Sequence, residues 1–430
     1  MTASSAKRVG RRLPNRVGYK AGALVIALSL GLTVGLQGCG PPPLSVEFVD
    51  HPEELVAQVR GGSLHTVGGL TVVRVSGAPY ERGWQYGTLL KDEIAEMPAF
   101  LVHLPWRDPE VIYGKALALA AHLPEDYLEE IRGVADGAGL SYEDALFVNL
   151  YFEALVATPF SSERGAGCSQ FVAVPALTGS GVIHGRNVDL DHLTAEEIAF
   201  LQDHSVVLVI TPDDGIPHAH LTFTGMTCVL TGVNEEGLVF ALNALMGAES
   251  LESGLPVSYL GREVLARFAA RAEARAYLEE TRVLSGIIAV LSDPTGGTVV
   301  EVMPHGAGDP EFRLFRDTVD GWVAATNHST AGAGHLDSVT RYNLLAERLE
   351  EAALAGAGSD TVSVIEAVRL LDKVAQPREP SLPVVTLQTA LFLPSSGDLY
   401  FSTMSVPSTR GPFTHLTLDQ LFSSGDGQGP

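Results

Sequence analysis

Six short β-type runs crowd into one stretch of the chain: Ser169–Val174, Gly181–Val188, Ser205–Ile210, Ala219–Phe223, Thr227–Val233 and Leu238–Leu242. Each is rich in branched or aromatic side chains and bounded by turn formers, so the stretch can bury itself only as paired strands. A long helix predicted over Arg262–Arg282 follows, with Val264, Leu265, Phe268, Ala272 and Leu278 on one stripe. Two more strands, Gly286–Leu291 and Thr298–Val302, surround the turn Asp293-Pro294-Thr295-Gly296-Gly297. Helical patterns over Tyr342–Ala353 and Val362–Val374 precede a closing hairpin of Thr386–Leu393 and Leu399–Met404. Strands alternating in blocks with helices define an α+β chain in which two sheets are sandwiched by helical layers. With 46% hydrophobic side chains among 430 residues, the apolar material for such a core is present.

The chain before Gly167 reads differently. Leu70–Val75 is a β-branched run, Tyr80–Phe100 is helical behind Pro79, and Pro124–Leu140 and Tyr142–Leu155 carry apolar residues at helical spacing. This part is expected to form an α-rich cap. Ser161–Gly167 is small, polar and turn-forming, and marks the change of composition. At the other end, a basic segment leads into the apolar run Ala21–Leu36, which closes on Leu36-Gln37-Gly38-Cys39. That run is shorter than the roughly 20 residues of a permanent membrane helix, so residues 1–38 read as a signal peptide. Leu-x-Gly-Cys resembles the lipobox of bacterial lipoproteins, which would make Cys39 the lipidated first residue; a plain signal peptide with a chance cysteine is the alternative. Gly40-Pro41-Pro42-Pro43 can form neither helix nor ladder bonds and opens a tether over 39–64. The expected location is extracytoplasmic, anchored to a lipid membrane.

Charge removes one class of partner. The net charge is -23, and all six basic residues before Cys39 lie in an acid-free leader, so the body stands at -29. Such a body repels phosphate backbones, and no nucleic acid is expected to bind. His218 and His220 form the one closely spaced histidine pair of the body; with no Cys or Glu cluster beside them they read as surface or loop residues, and no metal or cofactor is expected. A Gly-x-Ser-x-Gly elbow and a P-loop are both absent from the sequence.

Of three cysteines, Cys39 is assigned to the anchor, Cys228 sits in an apolar run as a buried residue would, and Cys168 opens the first strand of the β-rich part. If Gly179-Ser180 is the turn of the first hairpin, Cys168 faces Asp191 and lies diagonally from Asp189 on the same face. Arg186 is an odd number of residues from Asp189, so a bulge or twist would be needed to bring both to the sulfur. Pairing of Cys168 with Cys228 in an oxidising compartment remains open at this point.

Arg164-Gly165-Ala166-Gly167-Cys168-Ser169-Gln170 followed by Ile183-His184-Gly185-Arg186-Asn187-Val188-Asp189 resembles the signature of the N-terminal nucleophile cysteine hydrolases. Within them the chain is most similar to the acyltransferase-like peptidases related to isopenicillin N acyltransferase. Pro79-Tyr80-Glu81-Arg82-Gly83-Trp84-Gln85-Tyr86-Gly87, Gly232–Leu238, Asn243, Thr326-Asn327-His328 and Asp337–Tyr342 extend the likeness over about residues 65–410. The resemblance implies a four-layer αββα fold. It implies an α-rich pro-segment over 65–167, self-cleavage between Gly167 and Cys168, a catalytic region over 168–410 and a flexible tail over 411–430. The pro-segment would stay bound as a separate chain. Freed at its N-terminus, Cys168 would supply both thiol and α-amine base, with pKa values of about 8.5 and 7.7–8.0. Arg186 would favour the thiolate and Asp189 would orient the amine. Asn327, with Asn243 in some members, would donate to the oxyanion, and Arg341 would reach back to the nucleophile. Glycine at 167 would permit backbone conformations closed to other residues and leave its carbonyl uncovered. The implied activity is hydrolysis of a linear, small-molecule or peptide-like amide through a Cys thioester. Acyl transfer to an amine is the alternative, and a catalytically inactive binding lipoprotein is the alternative outside the enzymes.

Overall fold

Two sheets lie face to face. The computed structural model describes residues 44–104, 108–158, 167–245, 253–303, 312–332, 335–355, 362–377 and 384–423; the expected signal peptide, Cys39 and the prolines after it lie outside the described residues. The strands are β1 (Phe48–Asp50), β2 (Glu53–Val59), β3 (Gly62–Val67), β4 (Leu70–Gly77), β5 (Cys168–Ala173), β6 (Ile183–Asp191), β7 (Ser205–Pro212), β8 (His218–Phe223) and β9 (Thr231–Asn234). They continue as β10 (Val239–Ala244), β11 (Ile287–Asp293), β12 (Gly296–Met303), β13 (Phe312–Asp317), β14 (Trp322–Ala325), β15 (Val384–Leu393), β16 (Asp398–Ser402) and β17 (Phe413–Thr417). Helices α1 (Pro79–Leu89), α2 (Lys91–His103), α3 (Pro109–Leu119), α4 (Glu125–Ala138) and α5 (Tyr142–Val156) precede Cys168. After it come α6 (Pro175–Thr178), α7 (Ala195–Asp203), α8 (Val257–Arg267), α9 (Arg271–Glu280), α10 (Leu336–Ala355), α11 (Val364–Val374) and α12 (Leu418–Phe422). One sheet runs β13-β12-β11-β10-β9-β8-β7-β4-β3-β2 and the other β1-β17-β16-β15-β6-β5-β14.

Alternation along the strands builds the layers. Val172 and Val323 of the seven-stranded sheet meet Ile288, Val290 and Val299 of the ten-stranded one, and Phe392, Phe401 and Leu416 meet Val72, Val207 and Leu221. On the outer face of the larger sheet, α1 and α4 bury Tyr86 and Val134 against Val73 and Leu208, while α8 and α9 bury Val264 and Leu278 against Phe240 and Leu291. Helices α10 and α11 cover the smaller sheet, where Asn187 Nδ2 donates to the Leu371 carbonyl at 2.9 Å. The architecture is the expected four-layer αββα sandwich.

Three boundaries are corrected. The span read as tether to residue 64 already contains β1 and β2 and part of β3. The part before Gly167 is no cap: β4 pairs in parallel with β7 over Thr71–Gly77, and β1 pairs with β17, so this segment supplies edges to both sheets. The expected flexible tail contains β17 and α12, which is closed by a Thr417–Gln420 capping box.

Glycines explain why α1 and α4 touch backbone to backbone. A Cβ on Gly83 would collide with the Glu130 carbonyl and one on Gly87 with that of Val134; Gly133 and Gly137 of α4 face Tyr80 and Trp84 of α1 equally closely. Helix α4 then ends on Gly139, left-handed at φ 77, whose N–H closes onto Ala135. Inside this contact Glu130 accepts from Arg82 Nη2 at 2.7 Å and from Arg262 Nη1 and Nη2 at 2.7 and 2.9 Å. Burial pushes the Glu130 carboxyl up, but Arg262 and Arg82 outweigh it and hold it at about 2. Its folded value lies below the unfolded one, so the stabilisation is present above the ordinary carboxylate range and is lost as pH falls toward 2. Glu130→Ala is expected to strand two buried guanidinium groups and cost about 3–5 kcal/mol in urea unfolding at pH 7; a loss below about 1 kcal/mol would show that solvent reaches them.

Candidate active site

Strand β5 begins at Cys168 and pairs antiparallel with β6, so that Cys168 faces Val188 and Gln170 faces Arg186. The expected register, with Cys168 opposite Asp191, is therefore wrong by three residues. Pro175 starts a single helical turn, α6, closed by Gly179 at φ 75, so the connection is longer than a two-residue turn and is centred nearer Thr178. An odd shift exchanges the faces of the strand. Arg186 comes onto the face of Cys168, between the sheets, and Asp189 goes to the other.

No bulge in β6 is needed, because only Arg186 approaches the sulfur while Asp189, on the other face, stands next to Gly167. Arg186 Nη2 lies 3.9 Å from Sγ. Its guanidinium is anchored by donation to the Leu242 carbonyl and, at 2.8 Å, to Asn243 Oδ1. Asp189, opposite Thr386 of β15 beside a bulge in that strand, accepts from Thr386 Oγ1 at 2.6 Å through Oδ1. Its Oδ2 is buried, has no hydrogen-bond partner among the described residues and stands next to Gly167. Burial raises this carboxyl and Asp337 adds to the rise; Arg341, Thr386 and Arg186 oppose it, and the net position is about 7. At Gly167, φ lies outside the left-handed region and the constraint is space: a Cβ would stand 3.2 Å from Asp189 Oδ2 and 3.3 Å from Arg341 Nη2.

Asn327 follows β14, which pairs with β5. Its Oδ1 accepts the Cys168 N–H at 2.5 Å and Arg341 Nη2 at 3.1 Å, while Nδ2 donates to the Ala244 carbonyl at 2.8 Å. The side-chain oxygen, rather than the NH2, therefore faces Cys168 in the uncut chain. Arg341, in the second turn of α10, reaches Cys168 through its backbone: Nη1 donates to the Cys168 carbonyl at 2.6 Å and to Ser169 Oγ at 2.9 Å. Asn243 joins the two halves of the site, accepting from Arg186 and donating through Nδ2 to the Thr326 carbonyl at 2.9 Å.

Residues without an expected role complete the site. Ser338 accepts the Asn327 backbone N–H at 2.8 Å, and Asp337 accepts Arg341 Nε at 2.8 Å. Glu301, fully buried, accepts from Arg316, Ser329 and Thr330 and so fixes the loop that carries Asn327. Asp337 and Ser338 stand inside a motif quoted above; Glu301 left no sequence signal beyond an acid in an apolar strand. Cys168 and Cys228 are both free, and burial pushes the Cys228 thiol up to about 12, which makes it inert. His218 and His220 are buried in β8, not on the surface or in a loop; the pairing of β8 with β7 and β9 turns them toward the helices. Among the described residues no group of three or more His, Cys, Asp or Glu side chains could hold a metal.

Two sheets between helices, with a cysteine opening an inner strand beside an arginine and a buried aspartate, form the framework of the N-terminal nucleophile hydrolases. The chain belongs to the acyl-coenzyme A:6-aminopenicillanic acid acyl-transferase family, whose model matches residues 176–395, just over half of the chain and beginning shortly after Cys168. An uncharacterized protein of Archaeoglobus fulgidus is 26% identical over 270 residues, 56% of this chain and 43% of that protein. The N-acylethanolamine-hydrolyzing acid amidase of Cavia porcellus is 36% identical over 85 residues, 20% of each chain. The chain thus spans less than half the length of either relative. A mutant conjugated bile acid hydrolase from Clostridium perfringens aligns over 58% of this chain and 92% of its own, at 15% identity and a TM-score of 0.44.

Proposed function

We propose that this protein is a cysteine amidohydrolase that activates itself by cutting between Gly167 and Cys168 and then cleaves linear amides through a thioester on Cys168. One arrangement carries the reading: the Cys168 sulfur lies beside the Arg186 guanidinium, the Cys168 N–H donates to Asn327 Oδ1, and a buried carboxylate oxygen of Asp189 stands next to Gly167. In the precursor that nitrogen is an amide and has no basic lone pair. The thiol adds to the Gly167 carbonyl, the C–N bond breaks as the nitrogen takes a proton, and water hydrolyses the resulting ester of sulfur. The new amine, held by Asn327 Oδ1 and facing Asp189, then serves as base for its own thiol. Substrate repeats the sequence: the amine takes the thiol proton, sulfur attacks the amide carbonyl, and the proton passes to the departing amine. Water then releases the acid. The second N–H of Asn327 Nδ2 is the donor proposed for the oxyanion, with Asn243 holding the loop behind it. On this reading the chain is exported and anchored through Cys39 outside the cytoplasm, and the segment before the cut remains bound.

The amidase relative supports hydrolysis, and the family name supports an amine in place of water at the last step. The test uses the full chain. N-terminal sequencing of folded protein is expected to read Cys-Ser-Gln-Phe, and incubation with N-acyl amino acids, N-acylethanolamines, a β-lactam and peptides should release a free acid from at least one. A single uncut chain that releases nothing sinks the proposal; acyl products appearing only with an added amine convert it to transfer.

A further inference from the structure

A polar chain crosses the layer between the sheets and ends at the Arg186 guanidinium. Ser292 of β11 bonds His184 Nδ1 at 2.9 Å, His184 Nε2 bonds Gln170 Oε1 at 3.1 Å, and Gln170 Nε2 donates to Asn243 Oδ1 at 2.5 Å. Asn243 Oδ1 also receives Arg186 Nη1. Val172, Ile288 and Val290 belong to the same layer, so each polar group here must be matched within the chain or left costly.

The direction of every bond follows from the amides. Gln170 donates through Nε2, so its Oε1 can only accept, and His184 must carry its hydrogen on Nε2. Nδ1 is then an acceptor for the Ser292 hydroxyl. We propose that His184 is a positioning residue: as the Nε2–H tautomer it fixes the Gln170 amide, which fixes Asn243 with its oxygen toward Arg186, and so holds the guanidinium beside the Cys168 sulfur. The inference rests on Cys168 being the nucleophile. Without a donor at 184 the Gln170 amide can turn, bringing Oε1 against Asn243 Oδ1. Asn243 relieves that repulsion only by giving up its Nδ2 bond to the Thr326 carbonyl, and its NH2 then meets Arg186, donor against donor. Arg186 then keeps only the Leu242 carbonyl and loses its place near sulfur, where attraction to the thiolate falls with distance. Burial and the neighbouring Arg186 hold His184 at about 3, so the ring stays neutral at every pH well above that value.

The test is the pH–rate profile of self-cleavage after dilution of the full chain from urea, followed on denaturing gels. His184→Leu removes the donor, Gln170→Met cuts the chain one link nearer, and His184→Gln restores an N–H. Both cutting variants are expected to move the alkaline-going midpoint up by about one pH unit and to slow cleavage at pH 7 about tenfold. His184→Gln should return both to within about twofold of the parent. A purely structural role would reduce the yield of folded chain and leave the midpoint where it was, and that result overturns the inference. If His184→Leu does not fold, the midpoint of Gln170→Met decides. A parent chain that never cuts itself defeats the proposed function instead; a parent that cuts while the variants keep its profile defeats only the role of His184.

Discussion

Asp189→Asn is expected to make the protein more stable at pH 8 and unable to process itself. The carboxyl is fully buried, one of its oxygens has no partner, and burial carries it from 3.8 to about 7. A folded value above the unfolded one means that the native state binds the proton more tightly. The stability associated with the group is therefore full below pH 3.8 and is lost as pH rises to about 7. Above that, ionised Asp189 costs roughly 4 kcal/mol. Asparagine keeps the shape without the charge. In a Cys168→Ala background, where cleavage cannot confuse the measurement, the unfolding free energy should exceed the parent's by about 2–4 kcal/mol at pH 8 and match it near pH 3.5. An equal effect at both pH values would show that Arg186 and Arg341 already neutralise the carboxylate. With Cys168 present, the same substitution should reduce self-cleavage and turnover by about 10³-fold or more, because the emerging ammonium loses its counter-charge. Stability and chemistry then pull on one residue in opposite directions, as a functional site permits.

How much of this could be read without coordinates depends on how local the determinant is. The β-runs after Ser169 follow from short-range periodicity and formed with shifted ends; of the helices before Gly167, the one expected over Tyr80–Phe100 is divided at Leu90 into α1 and α2, and α3 was not expected. Strand β2 did not show itself, since Glu53–Gln58 is exposed throughout and carries no inward face to alternate with. Strand β14 is four residues long, and its significance lies in delivering Asn327. The helix expected over Arg262–Arg282 breaks at Phe268, which has neither glycine nor proline beside it. The cause is distant: Asn234 Nδ2 takes the carbonyls of Leu265 and Phe268 at 3.0 and 2.8 Å, and Asp293 accepts the Arg271 N–H that opens α9. For the site, the residue types were legible and the faces were not. The expected register put Asp189 on the face of Cys168 and Arg186 on the other; the one helical turn of α6 exchanges them and brings Arg186 to the sulfur.

Cys168→Ala is expected to leave one uncut chain, folded as the parent, with turnover reduced at least about 10⁴-fold. The fold should survive because pairing of β4 with β7 and β1 with β17 joins the two sides of the proposed cut whether or not the peptide is intact. Parent and variant can therefore be compared in the same architecture. Cys168→Ser is the sharper probe. A hydroxyl can make the same acyl shift, but it yields its proton far less readily than a thiol, so slow cutting over hours with little turnover is expected. Should Cys168→Ala mature and hydrolyse amides like the parent, sulfur is not the nucleophile. Cutting of Cys168→Ala at another residue, identified by its new N-terminus, would instead betray an outside protease acting upstream of Cys168. Only a chain that begins with residue 168 in the parent, and does not begin there in the alanine variant, assigns the cut to this thiol.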